Sequence, residues 1–218
     1  MNEVHTLMTL LTVHFIALMS PGPDFALVVQ NAGRYGRQVG VSIALGLSLG
    51  ILLHSILSLT GTSLLIREQP TLFALLQGAG GAYLLWLGLG AARSAWSTLR
   101  RTNAPDSDGA PEPVAAIGNI KQALAKGFAT NILNPKALVF FLSLLSTLIP
   151  AGMSTSGKIT AISLLWLISF LWFALLAWLL TGQRVQQTVR RWTPYVDALC
   201  GLIFLVIGAI ILVRLLPL

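Results

Sequence analysis

Apolar residues along this chain gather in six long runs, approximately Leu7 to Val29, Val39 to Ile66, Leu72 to Ala92, Gly127 to Ile149, Ile159 to Leu180 and Tyr195 to Leu216. Crossing about 30 Å of hydrocarbon takes roughly 20 residues at the helical rise, so each run is long enough for a membrane-spanning helix. Two of the six are interrupted. The first contains Ser20-Pro21-Gly22-Pro23-Asp24, and the fourth contains Asn131-Ile132-Leu133-Asn134-Pro135-Lys136. A proline inside a helix deletes a backbone donor and clashes with the preceding turn. In lipid the carbonyls freed this way have no water to turn to. Both runs therefore predict broken helices, with an acid after one break and a base after the other.

Between the third and fourth runs lies Ser94 to Ile120, which carries Pro105, Asp106, Asp108, Gly109, Pro111 and Pro113. It is the one connection long enough to divide the chain into halves. The expected organisation is a single transmembrane domain over 1–218: a first repeat over about 1–93, a cytoplasmic linker over about 94–121 and a second repeat over about 122–218. Three spans in each half make the second half enter the membrane from the opposite side, so any repeat is inverted. Local likeness supports one. Gly22-Pro23-Asp24 stands against Asn134-Pro135-Lys136, and Gly81 with Gly88 against Gly201 with Gly208. Four residues before each glycine pair stands a polar residue, Gln77 in one half and Asp197 in the other. Runs two and five show no such match. The expected fold is all-α: six transmembrane helices as two inverted three-helix repeats, with helices 1 and 4 broken at their proline motifs, an arrangement found in transporters.

Composition fits a protein that lives in lipid. The chain of 218 residues is 55% hydrophobic and 10% charged, against about 25% charged in soluble domains. A net charge of +7 would point to nucleic acid as a partner in a soluble chain, but here most of it sits in short connections. Arg34 and Arg37, then Arg93, Arg100, Arg101, Lys121 and Lys126, then Arg184, Arg190 and Arg191 lie on one side, and Arg67, Lys158 and Arg214 on the other. The richer side is cytoplasmic, which puts the linker inside and both termini on the outer side. Met1 to Thr6 has no Lys or Arg, so a cleaved signal peptide is not expected. A single cysteine, Cys200, removes disulfide, thiol-relay and cysteine-cluster chemistry.

The breaks carry the candidate chemistry. Ser20-Pro21 and Asn134-Pro135 each read as a helix start, a capping side chain followed by proline at the first helical position. If both helices restart there, two positive dipole ends converge from opposite sides of the membrane, a setting for a carboxylate. The alternative is a pair of ordinary proline kinks. Asp24 and Lys136 follow directly, and a charge near the bilayer centre costs about 2.5 to 3.5 kcal/mol, so each needs a partner or a wet cavity. Three readings stand: a structural ion pair, a cradle with Lys136 on a carboxylate and Asp24 on an ammonium, and a proton carrier at Asp24. His54, central in the second run, and Asp197 are candidates for a proton path or polar site, against a buried bonded ring and a hydrated interfacial acid. His14, seven residues before Pro21 on roughly the same helix face, reads first as a buried, hydrogen-bonded ring, with a proton path as the alternative. Asn131 and Asn134 would add amide groups to a polar cavity.

Two rival classes fit less well. A metal-cation carrier would gather several His, Asp, Glu or Cys ligands, whereas Asp24, Asp197 and two histidines are few and Lys136 repels a cation. An enzyme would need a nucleophile with a base, and neither a GxSxG elbow, an HExxH motif nor a cysteine pair is present. No cofactor, metal or catalytic residue is expected.

At these residues the sequence resembles the LysE/RhtB amino-acid exporter family, most closely its homoserine and threonine exporter branch. The resemblance is carried by Ala17-Leu18-Met19-Ser20-Pro21-Gly22-Pro23-Asp24-Phe25 and by Gly127-Phe128-Ala129-Thr130-Asn131-Ile132-Leu133-Asn134-Pro135-Lys136-Ala137. It implies proton-driven export of amino acids or close analogues across the bacterial inner membrane and leaves the substrate open. Two intramembrane acids against one base do not call for a strongly cationic cargo, so a neutral amino acid such as homoserine or threonine is expected, exported by alternating access, with a basic amino acid or a metal cation as the alternative cargo. The family's proline motifs fall on Pro21, Gly22, Pro23, Asn134 and Pro135, with Asp24 and Lys136 beside them, and Ser20 and Asn131 from the reading of the breaks complete the expected site. Amino acid, protons and membrane lipid are then the partners, nucleic acid is not, and assembly into a homo-oligomer is left open.

Overall fold

The computed structural model describes residues 3–20, 22–100, 117, 119–150, 152–180 and 183–215. Pro21 and the linker stretch from Pro105 to Pro113 lie outside the described residues. Those described form eight helices: α1 (Glu3–Met19), α2 (Pro23–Tyr35), α3 (Arg37–Glu68), α4 (Pro70–Arg100), α5 (Ile120–Ile132), α6 (Pro135–Leu148), α7 (Thr155–Leu179) and α8 (Gln183–Leu215). Among them α3 over Arg37–Gly61, α7, and α8 over Arg191–Val213 are each long and apolar enough to cross a membrane. The first and fourth runs are broken where their prolines predict, α1 meeting α2 at 57° and α5 meeting α6 at 60°. Counting each bent pair as one span gives five. α4, which carries the third run, is 31 residues long but is not among the helices that meet both criteria.

Two helices overrun the expected boundaries. α4 continues to Arg100, past the start expected for the linker at Ser94, and α8 begins at Gln183, twelve residues before the run at Tyr195. Apolarity marks where a helix meets lipid, not where its hydrogen bonding stops. Gln, Arg and Thr extend a helix at little cost, and Pro194 removes one backbone bond without ending α8.

α3 lies at the centre of the described fold and packs against α2, α4, α5, α6 and α7. Its Ile43, Ala44, Leu47 and Ile51 are buried. Helices approach here because side chains are missing: Gly46 of α3 lies against the Leu124 backbone and Gly127 of α5 against the Ile43 backbone. Without a hydrophobic drive between helices in lipid, such close backbone contact is what holds them. The same device joins α4 to α8. A Cβ on Gly88 would lie 2.7 Å from the Gly201 carbonyl oxygen, and one on Gly208 2.7 Å from that of Gly81. The glycine pairs noticed as counterparts in sequence thus meet crosswise, and the two helices run antiparallel.

Candidate functional site between the helix breaks

At the second break the chain caps itself. Asn134 precedes Pro135 with an extended backbone, and its Oδ1 accepts from the Lys136 N–H at 3.0 Å. Its amide group points the other way, and Nδ2 donates to Asp24 Oδ1 at 3.2 Å. One turn earlier, at the end of α5, Asn131 Nδ2 donates to Asp24 Oδ2 at 2.6 Å. Asn131 is seated against α3, where its backbone carbonyl accepts from His54 Nε2 at 3.1 Å. Gly50 makes room for it, since a Cβ there would fall 2.6 Å from Asn131 Oδ1.

The first break is built differently. α2 starts at Pro23, with Gly22 in the capping position and no side-chain cap bond. The expectation that Ser20 caps this helix is therefore corrected: two prolines two residues apart offer two starting points, and the chain uses the second. Ser20 Oγ instead accepts from Lys136 Nζ at 2.8 Å, a bond between the two breaks.

Asp24 and Lys136 both line one cavity together with Ser20, Gly22, Asn131 and Asn134, with about 520 Å³ of atom-free space including its mouth. No ion pair joins Asp24 to Lys136 among the described residues, so the structural ion-pair reading is not what is found. The acid rests on two amides. The base rests on one hydroxyl and on the face of Phe204, whose centroid is 5.4 Å from Nζ. Each carboxylate oxygen keeps accepting capacity, and an ammonium has three donors, so both charges retain unused bonding directions within the same space.

The other expected residues divide. Pro23 also lines the cavity, whereas Pro135 starts α6 on an exposed position away from it. His54 is buried and reaches the site through the Asn131 backbone rather than lining it. Asp197 is half-buried in α8, outside the cavity wall but within electrostatic reach of Lys136. Sequence reasoning missed the apolar wall, which includes Phe140, Phe141 and Phe204. His14 is the buried, hydrogen-bonded ring expected, and it also borders the cavity, which was not expected. The spacing held a signal: Phe140 is one helical turn beyond Lys136 and Phe204 two turns beyond Asp197, on the same faces. Among the described residues no group of three His, Cys, Asp or Glu side chains is arranged to hold a metal ion.

Comparison with known proteins adds an independent line. The model of the LysE type translocator family matches residues 15–215, a range that takes in both breaks and all of the cavity wall except His14. The chain belongs to the LysE type translocator family. A threonine efflux protein of Escherichia coli K12 is 29% identical over 197 residues, 90% of this chain and 92% of its own. A leucine efflux protein of Enterobacter sp. strain 638 is 29% identical over 195 residues, 87% of each chain. A membrane protein of Pseudomonas aeruginosa reaches 32% identity over 186 residues, 83% of this chain and 81% of its own. No solved structure matches the chain.

Proposed function

We propose that this translocator exports a neutral amino acid, with homoserine and threonine the best fits, across the bacterial inner membrane in exchange for protons. The observation that carries this reading is the unpaired acid and base. Asp24 and Lys136 occupy the first turns of two half-helices and line one cavity without bonding each other. A zwitterion supplies the missing partners, its carboxylate for Lys136 and its ammonium for Asp24. Ser20, Gly22, Pro23, Asn131 and Asn134 shape the same space, with Pro23 and Pro135 starting the two half-helices. The efflux relatives handle threonine and leucine by name, which supports a neutral amino acid as cargo.

The architecture of this proposal is six spans in two inverted repeats, with α4 as the third span. It is supported by how the helices pair: α3 with α7 and α4 with α8, each helix against its own counterpart, then α1 with α7 as α5 with α3. Such exchange is what a two-fold axis in the membrane plane produces. The excess of basic residues on one side supports a cytoplasmic linker and periplasmic termini. Rocking of the halves about the breaks then exposes the cavity to one side at a time. A proton crossing a 100 mV potential releases about 2.3 kcal/mol, enough for a roughly 50-fold concentration ratio.

The test is counterflow in proteoliposomes with a panel of labelled amino acids, with and without an imposed pH gradient. Wild-type protein should exchange neutral amino acids and accumulate them against the gradient, and Asp24→Asn should lose the accumulation. Coupled export at the wild-type rate in Asp24→Asn would remove that carboxylate from the mechanism, and no exchange of any amino acid would remove the reading itself.

A further inference from the structure

The side-chain polar atoms that line the cavity find partners within the protein, with two exceptions. One is Asn131 Oδ1, which is turned toward Gly50 of α3. The other is Nδ1 of His14, a residue 1% exposed in the cavity wall.

The state of that nitrogen follows from its neighbours. His14 Nε2 lies 2.8 Å from Ser169 Oγ. Ser169 has one hydroxyl proton, and it goes to the Leu165 carbonyl at 2.6 Å. At His14 the serine oxygen can therefore only accept, so Nε2 carries the ring proton and Nδ1 is a bare lone pair. The ring is held in place between Phe140 and Phe141, at 6.2 and 5.4 Å between centroids. A buried acceptor with no donor is normally avoided, because its lost hydration is not repaid. Here the ring that carries it borders the phenylalanine-rich part of a cavity whose charges lie at the helix breaks.

We propose that His14 is a specificity-determining residue whose Nδ1 accepts a hydrogen bond from the cargo's side-chain hydroxyl. This rests on the export reading above. His14 is six residues before Ser20, about 9 Å along α1, and Phe140 is four residues beyond Lys136, about 6 Å along α6. A small amino acid anchored by its carboxylate on Lys136, with one hydrogen bond of about 2.8 Å at each end, has the reach to span that gap. Ser169 is a positioning residue, since it fixes which ring nitrogen is free. Hydroxyl and methyl are close in size, so an apolar wall alone barely separates threonine from valine. A wall with one dedicated acceptor does.

The experiment is counterflow by the reconstituted full-length chain with two matched pairs, threonine against valine and homoserine against norvaline. Wild-type protein should favour the hydroxylated member of each pair by about tenfold in half-saturation. His14→Phe should bring the two members of each pair together, and His14→Gln, which retains both a donor and an acceptor, should restore part of the preference. Ser169→Ala should lower the preference as well, through a residue that does not line the cavity, and covers the case in which His14→Phe fails to fold. Equal use of both members by wild-type protein, or an unchanged preference in the folded His14→Phe and Ser169→Ala proteins, overturns the assignment of His14 and leaves amino-acid export standing. A wild-type protein that exchanges no amino acid overturns the export reading, and this inference with it.

Discussion

The two helix breaks bend by nearly the same angle and both restart on a proline, yet they handle their loose ends in opposite ways. Asn134 closes the second break on itself and uses its remaining amide to hold Asp24 across the site. The first break has only Gly22 at its cap and sends Ser20 away to Lys136. The charges sharpen the contrast. Asp24 and Lys136 each occupy the second position of their helix, where the macrodipole is positive. An acid there is favoured and a base is opposed. Asp24 thus has a helix end and two amides in its favour, whereas Lys136 works against its own helix with one hydroxyl and one ring face as support. The end of the site with fewer bonds and an opposing helix end is the lysine end, and that is where a cargo carboxylate gains most.

The largest effect should therefore fall on Lys136. A hydrogen bond to a charged group contributes about 1.5 to 3 kcal/mol, which predicts a roughly 10- to 150-fold rise in half-saturation for free amino acids in Lys136→Ala. The amide of the same amino acid lacks the carboxylate and should lose little. Counterflow with threonine and threonine amide makes the measurement, and an equal loss for both would place the carboxylate elsewhere.

A smaller effect separates the breaks themselves. Asn134→Ala removes a helix cap and one of the two bonds on Asp24, and cap removal alone costs about 1 kcal/mol. Ser20→Ala removes no cap, because Ser20 caps nothing. Thermal unfolding of the purified protein in detergent should show Asn134→Ala as the less stable variant, and the reverse order would mean that the first break is the one under tension.

Much of this was legible in the sequence because its causes are local. Twenty apolar residues mean a span, and proline inside a span means a break, so both bends fall where the prolines stand. The choice of Gly22 over Ser20 as the cap was not legible, since Pro21 and Pro23 are equally good first residues for a helix. Nor were the overruns of α4 and α8, whose polar ends continue the helix without an apolar signal. The cavity wall is a matter of which faces meet. Asp24, Asn131, Asn134 and Lys136 stood out as polar groups in apolar runs, whereas phenylalanines in a membrane helix look alike whether they face lipid, a neighbour or a cargo. The tautomer of His14 depends on Ser169, 155 residues away, and no spacing rule reaches that far.

The smallest effect carries the comparison out to the starts of the two broken spans. α5 begins on its own cap, Asn119 Oδ1 accepting from the Gln122 N–H at 2.9 Å. α1 instead begins with a charge: Glu3 Oε1 accepts from the Ser154 N–H at 2.8 Å and Oε2 from the Ser154 hydroxyl at 3.0 Å. This clasp ties the first turn of α1 to the start of α7. Glu3 precedes the apolar run that starts at Leu7, and the Ser154 N–H and hydroxyl hold its carboxyl below the usual glutamate range. A carboxyl with a lowered value in the folded protein stabilises while it is ionised, so the contribution is complete above the ordinary glutamate value and is lost as pH falls through the lowered one. Because Glu3 remains partly open to solvent, the contact is screened and the effect is modest. The melting temperature of Glu3→Gln should sit slightly below that of wild type at neutral pH, and the two should converge in acid, as pH falls below the ordinary glutamate value and through the lowered one. A gap that persists unchanged into acid would mean that the clasp acts through shape, leaving α1 no more dependent on charge than α5.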